Sequence, residues 1–116
     1  KRKNAAFTRY NLFLRDGFCC QYCGTKKAAK DLTFDHVLPR SRKGPATFEN
    51  IVAACQSCHL RKANKQPREA GMKLLRKPRA PSPHELDKVG RKLARVQKEL
   101  HQTWLDFLYW GADPEG

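Results

Sequence analysis

Acidic residues are scarce in this sequence: 11 Asp and Glu stand against 24 Lys and Arg, for a formal charge of +13. An excess this large favours a polyanionic partner, nucleic acid before a membrane surface. Long apolar runs are absent, and none approaches the ~18 residues of a membrane span. The opening stretch KRKNAAFTRYNLFL is basic, but its apolar part is too short and too interrupted for a signal peptide. We therefore expect a cytoplasmic protein with no membrane partner. The first residue is not methionine, which points to a chain trimmed at its front. The cysteine count is odd and secretory signals are lacking, so a disulfide framework is disfavoured. No internal repeat is visible. With 116 residues there is little apolar surface to bury, and domains of this size often add a metal or a partner subunit.

The charge is unevenly placed. Residues 1–83 carry 19 basic and 5 acidic side chains, whereas residues 84–116 carry 5 and 6, so the polyanion is expected to meet the first part. TRYNLFLRDG reads as a short amphipathic helix with Tyr10, Phe13 and Leu14 on one face and Gly17 as its stop. CCQYCG follows as a tight turn. LTFDHVL alternates as a strand does, and Pro39 ends it. SRKGPAT is a loop, FENIVAAC a second short apolar piece, and QSCHLRKANK is polar and helix-compatible. KPRAPSP is a proline-rich linker expected to fold into neither neighbour. Beyond it, Ser82 is a plausible N-cap, Pro83 suits the first helical position and Glu85 completes a capping box. Leu86, Val89, Leu93, Val96, Leu100, Trp104 and Phe107 then form one apolar stripe, with Lys88, Arg91, Lys92, Arg95 and Lys98 opposite. The domain plan is a core over 1–77, a linker over 78–83, an amphipathic helix over 84–110 and a tail over 111–116.

Four of the five cysteines form two Cys-x-x-Cys pairs, Cys20/Cys23 and Cys55/Cys58. Two such knuckles can converge on one ion and complete a closed tetrahedral zinc site. A redox pair needs one Cys-x-x-Cys at a helix start, not two. Cys19 is the spare, a small packed side chain. The spacing from Cys20 and Cys23 to His36 also fits three ligands of a DNA-reading zinc finger. That reading fails, because the required second histidine is missing at 40–42 and Pro39 breaks the needed helix.

His36 is thus left without a zinc duty, and Asp35, Asn50 and His59 likewise need a purpose. Cutting a phosphodiester takes a base to activate water, a cation to neutralise charge and basic side chains to hold the strand. Asp35 offers a hard oxygen and His59 an imidazole, enough to hold one hydrated divalent ion. His36 suits a general base near neutral pH, its other ring nitrogen held by the Asn50 carbonyl or a backbone group. In a regular strand Asp35 and His36 point to opposite faces, so both reach one site only where the strand twists or ends. Arg40, Arg42, Arg61, Lys62 and Lys65 are candidate phosphate contacts. Taken singly, each of these residues has a plainer reading: a turn cap, an Asx-turn, a solvated surface group.

Together, the stretches NLFLRDGFCCQYCG, LTFDHVLPRSRKG and TFENIVAACQSCHLRKANKQP resemble an HNH homing-type endonuclease domain with the ββα-metal fold, over about Tyr10 to Pro83. The resemblance implies His36, Asn50 and His59 as the namesake residues. His36 would be the general base, Asn50 its orienting residue, and Asp35 and His59 the ligands of a catalytic Mg2+ or Mn2+. The four knuckle cysteines would hold the structural Zn2+ found in part of that family. Two departures are visible: Lys43-Gly44 stands where Gly-Gly is common, and Ala63-Asn64 follows Lys62 where glycine is common.

The expected fold is α+β, a small ββα-metal core stapled by a four-cysteine zinc site, with a short N-terminal helix and a long C-terminal amphipathic helix. The expected function is metal-dependent hydrolysis of DNA, by nicking or double-strand cleavage. A non-catalytic zinc module that binds nucleic acid is the alternative, and an interaction protein using the tail helix is a third. That helix would run about 33 Å from Leu86 to Phe107 at 1.5 Å per residue. Its stripe would associate if left exposed, and pairing into a homodimer is the expected solution.

Overall fold

The computed structural model describes residues 5–106, with side chains described through 101. The chain forms α1 (Arg9–Arg15), β1 (Leu32–His36), β2 (Ile51–Cys55), α2 (Gln56–Lys62) and α3 (Pro83–Asp106), with single 3-10 turns at Ala29–Asp31, Arg40–Arg42 and Arg68–Ala70. This is the expected α+β arrangement: two antiparallel strands and a helix, a four-cysteine cluster, and a helix at each end.

Helix α1 starts where the Thr8 hydroxyl accepts from the Asn11 amide, and it stops at Gly17, whose φ of +65° needs no Cβ. Its inward face is Leu12, Phe13 and Leu14. Tyr10, expected on that face, is 62% exposed, with its ring edge toward Phe18. Strand β1 ends at His36, two residues before the expected Leu38: the Val37 amide still reaches the Asn50 carbonyl, but the Asn50 amide turns back to the Thr47 carbonyl and the Leu38 amide goes to the Asn50 side chain.

The strands pair from Leu32↔Cys55 to His36↔Ile51. Successive side chains point to opposite faces, and both faces are covered. On one side Leu32, Phe34, Ile51 and Ala53 pack with Leu12, Phe13 and Phe48. On the other, Val52 and Ala54 join Cys20, Tyr22, Cys55, Cys58 and Met72. All five β2 residues are therefore buried.

Arg15 ties the first side together. Its guanidinium donates to both Asp16 carboxylate oxygens and to the carbonyls of Phe48, Ile51 and Arg79, while Asp16 Oδ2 accepts from the Ala53 amide. The proline-rich linker is pinned by such contacts rather than left clear of its neighbours. The Arg79 carbonyl accepts from Arg15, Ala80 packs into the α1 side of the core, and the Pro81 carbonyl accepts from the Ala5 amide.

Helix α3 opens with the capping box read from the sequence: the Ser82 amide donates to Glu85 Oε1 at 2.8 Å and the Glu85 amide to Ser82 Oγ at 3.1 Å. It docks on α1 through its first turns, where Leu86 is buried and Val89 and Leu93 are half-buried. Val96 and Leu100 are exposed. The radius of gyration of 17.6 Å, against about 13 Å for a compact domain of this length, fits a helix that extends past the core. The Trp104 side chain and Phe107, which complete the expected stripe, lie outside the described residues. No helix among the described residues is long and apolar enough to cross a membrane.

Candidate functional site

The two knuckles meet across the end of the sheet. Cys20 and Cys23 lie in the turn after α1, while Cys55 ends β2 and Cys58 sits in the first turn of α2. Their four Sγ atoms all lie within 4.8 Å of one another, and Cys23 Sγ is 3.8 Å from Cys55 Sγ. Tetrahedral zinc with Zn–S bonds of about 2.3 Å sets sulfurs about 3.8 Å apart. The amides of Tyr22 and Cys23 point at Cys20 Sγ from 3.4 and 3.5 Å, so the turn itself shapes the ligand set. The hydrogen bond with Thr25 lowers the Cys23 thiol to about 6, whereas burial pushes Cys58 up to about 12. A cation at the centre supplies the charge that lets buried thiols ionise. The four-cysteine set therefore fits structural zinc. Cys19 stays outside it, half-buried, its thiol donating to the Gly17 carbonyl.

Beside the knuckles, β1 and α2 bring Asp35 and His59 together. Asp35 is 2% exposed. Its Oδ2 accepts from the Tyr22 hydroxyl at 2.6 Å, and its Oδ1 lies 3.5 Å from Lys62 Nζ and 3.8 Å from His59 Nδ1. Burial, then the bond to Asp35, raises the Tyr22 phenol far above its ordinary value, so it remains a donor. Thr33 fixes the His59 tautomer. Its hydroxyl donates to the Ala54 carbonyl at 3.0 Å, so the same oxygen accepts from His59 Nδ1 at 2.8 Å. The lone pair of His59 is then left on Nε2. One carboxylate and one imidazole, with open positions for water and phosphate, are a donor set that fits a hydrated divalent ion.

His36, at the end of β1, is half-buried. Burial first, and then the nearby Arg40 charge, lowers its imidazole below the ordinary value, so it is neutral at pH 7 and able to accept a proton. Its carbonyl accepts from Lys62 Nζ at 2.7 Å. No hydrogen bond of the His36 ring occurs among the described residues, which corrects the expected contact with Asn50. The Asn50 amide is spent elsewhere: Oδ1 accepts from the Leu38 amide, and Nδ2 donates to the carbonyls of Leu38 and Pro45. Asn50 thus staples the loop that follows His36.

Gly44 is required in that loop, since a Cβ there would fall 1.7 Å from the Leu38 carbonyl oxygen. Lys43 just before it adopts φ +66°, the left-handed region that glycine enters without strain. Ala63 is the second departure from the family's glycines, and it too has a structural cost. Its φ of +51° with ψ of −133° at the end of α2 is strained for any residue with a Cβ. Ala63→Gly is expected to stabilise the fold by about 1 kcal/mol, read as a higher Tm in thermal unfolding. A Tm at or below wild type would contradict the strain.

Arg40, Arg42, Arg61 and Lys65 are exposed. Arg42 Nη1 is paired with Glu69 at 2.8 Å, so a phosphate would have to displace an exposed carboxylate. Lys62 departs from its expected role. At 1% exposure, with its ammonium between the His36 carbonyl and Asp35, it is a buried strut rather than a surface phosphate contact. Helical spacing held the clue, since Lys62 follows the buried knuckle residue Cys58 by four residues. Thr33, two residues before Asp35 on one strand face, was legible in the same way.

Residues 20–65 match the model of the HNH endonuclease family, and the same stretch carries the four-cysteine cluster. Neither the curated proteins nor the solved structures gave a match.

Proposed function

We propose that this protein is a divalent-metal-dependent endonuclease that hydrolyses DNA phosphodiester bonds. The observation that carries the reading is the convergence of Asp35, from β1, with His59, from α2, the Asp35 Oδ1 lying 3.8 Å from the imidazole whose Nε2 keeps the lone pair, with His36 the next residue along β1. A family match over the same residues supports nucleic acid as the substrate class. In this reading His36 takes the proton from the attacking water. Asp35 and His59 hold a Mg2+ or Mn2+ ion, which would neutralise charge on the phosphate and the leaving oxygen. Arg40 and Arg42, on a loop whose course Asn50 and Gly44 set, and Arg61 and Lys65, in and just after α2, grip the backbone. The knuckle cysteines hold a structural Zn2+. Pairing of two copies through the Val96 and Leu100 face would place two such sites on one DNA, and sedimentation velocity reads that directly.

The test is conversion of supercoiled plasmid to nicked circles with Mg2+ or Mn2+ and with EDTA. Nicking that needs the added ion is the expected result. Salt-sensitive DNA binding with no cleavage under any divalent ion would select the non-catalytic zinc module instead.

A further inference from the structure

The Tyr22 phenol has a position that none of the roles above uses. It lies between two zinc-ligand candidates in the sequence, Cys20-Gln21-Tyr22-Cys23, with its ring buried in the knuckle side of the core. Its hydroxyl crosses to Asp35 Oδ2 at 2.6 Å. Among the described residues this is the one side-chain hydrogen bond that joins the first knuckle to Asp35 or His59. A short bond to a carboxylate is a strong one, and neither partner has water to fall back on, since Tyr22 is 8% and Asp35 2% exposed.

We propose that Tyr22 is a positioning residue that makes the four-cysteine site and the Asp35/His59 site one mechanical unit. With Oδ2 held by the knuckle, the carboxylate cannot rotate away from His59, and Oδ1 stays 3.8 Å from His59 Nδ1 and 3.5 Å from the Lys62 ammonium. Oδ1 is then the oxygen presented to a divalent cation. The zinc ligands fix the turn, the turn fixes the phenol, and the phenol fixes the carboxylate. The inference rests on the proposed function for the cation at Asp35 and His59, and outer-shell partners of this kind govern metal affinity by about 10–100-fold.

The experiment measures Mn2+ binding by electron paramagnetic resonance, alongside plasmid nicking, for the full chain as wild type, Tyr22→Phe, Asp35→Asn and the double variant. Tyr22→Phe should keep one zinc per chain and the wild-type circular dichroism. Its Mn2+ affinity should fall about 10–100-fold, and its nicking should recover as Mn2+ is raised. In the Asp35→Asn background, Tyr22→Phe should cause no further loss, because the phenol acts only through that carboxylate.

Unchanged Mn2+ affinity in Tyr22→Phe would overturn the inference, as would an equal further loss in the Asp35→Asn background. Loss of zinc or of the fold in Tyr22→Phe would assign the phenol to the knuckle alone and would overturn it too. Wild-type protein that neither binds Mn2+ nor nicks would overturn both this inference and the proposed function. Wild type that does both, matched by Tyr22→Phe, would overturn this inference only.

Discussion

His36→Ala is expected to lower plasmid nicking by about 10²–10⁴-fold, the range lost with a general base. Zinc content, circular dichroism and DNA affinity should stay near wild type. The separation follows from how the residue is held. The contact that ties His36 to the fold is made by its backbone carbonyl, which accepts from Lys62 and survives truncation of the side chain. The ring is half-buried and makes no hydrogen bond among the described residues, so removing it leaves no partner unpaired. Near-wild-type nicking by His36→Ala at pH 7 would exclude the histidine as the base. A loss of fold would show instead that the ring is part of the core.

Cys58→Ala is expected to unfold the knuckle side of the molecule, whereas Cys19→Ser should leave it folded. Structural zinc contributes about 10–16 kcal/mol in small zinc domains, comparable to or larger than the ~5–15 kcal/mol by which domains are stable. Cys20, Cys55 and Cys58 are themselves three of the seven buried residues in that cluster. Losing the ion therefore also leaves β2 and α2 with little to pack against. Elemental analysis should show one zinc in wild type and a substoichiometric amount in Cys58→Ala, with loss of far-UV signal. A zinc-free Cys58→Ala protein that melts like wild type would remove zinc from the account of this fold.

The elements themselves were legible because their signals are local. The capping box at Ser82–Glu85, the Gly17 stop and the paired Cys-x-x-Cys turns each depend on residues within a few positions, and each formed as read. The misreadings all concern partners distant in the sequence. Asn50 meets Leu38 and Pro45 instead of the His36 ring, a choice among neighbouring acceptors that no spacing specifies. Lys62 looked like one more solvated cation in a polar helix, yet burial against Asp35 makes it interior. Tyr10 sits at the correct helical angle, but it stays mostly exposed at the margin of the core. The linker's prolines gave the expectation of a segment that folds into neither neighbour, and its contact with Arg15, some 64 residues away, is one that no local signal specifies.

The alternation of β1 has a consequence for how the sheet finds its alignment. Two strands alone make a marginal structure, and neighbouring registers of such a ribbon are ordinarily close in energy. Here a slip by one residue would exchange the faces. The Asp35 carboxylate would enter the aromatic cluster of Phe13, Phe18 and Phe48, and the Phe34 ring would be driven against His59 and Tyr22. One wrong face offers a charge no partner, and the other offers a ring no space. Misalignment is therefore penalised twice, from opposite sides of the same ribbon. Asp35, the carboxylate proposed to hold a cation, also serves as the sheet's proofreading mark.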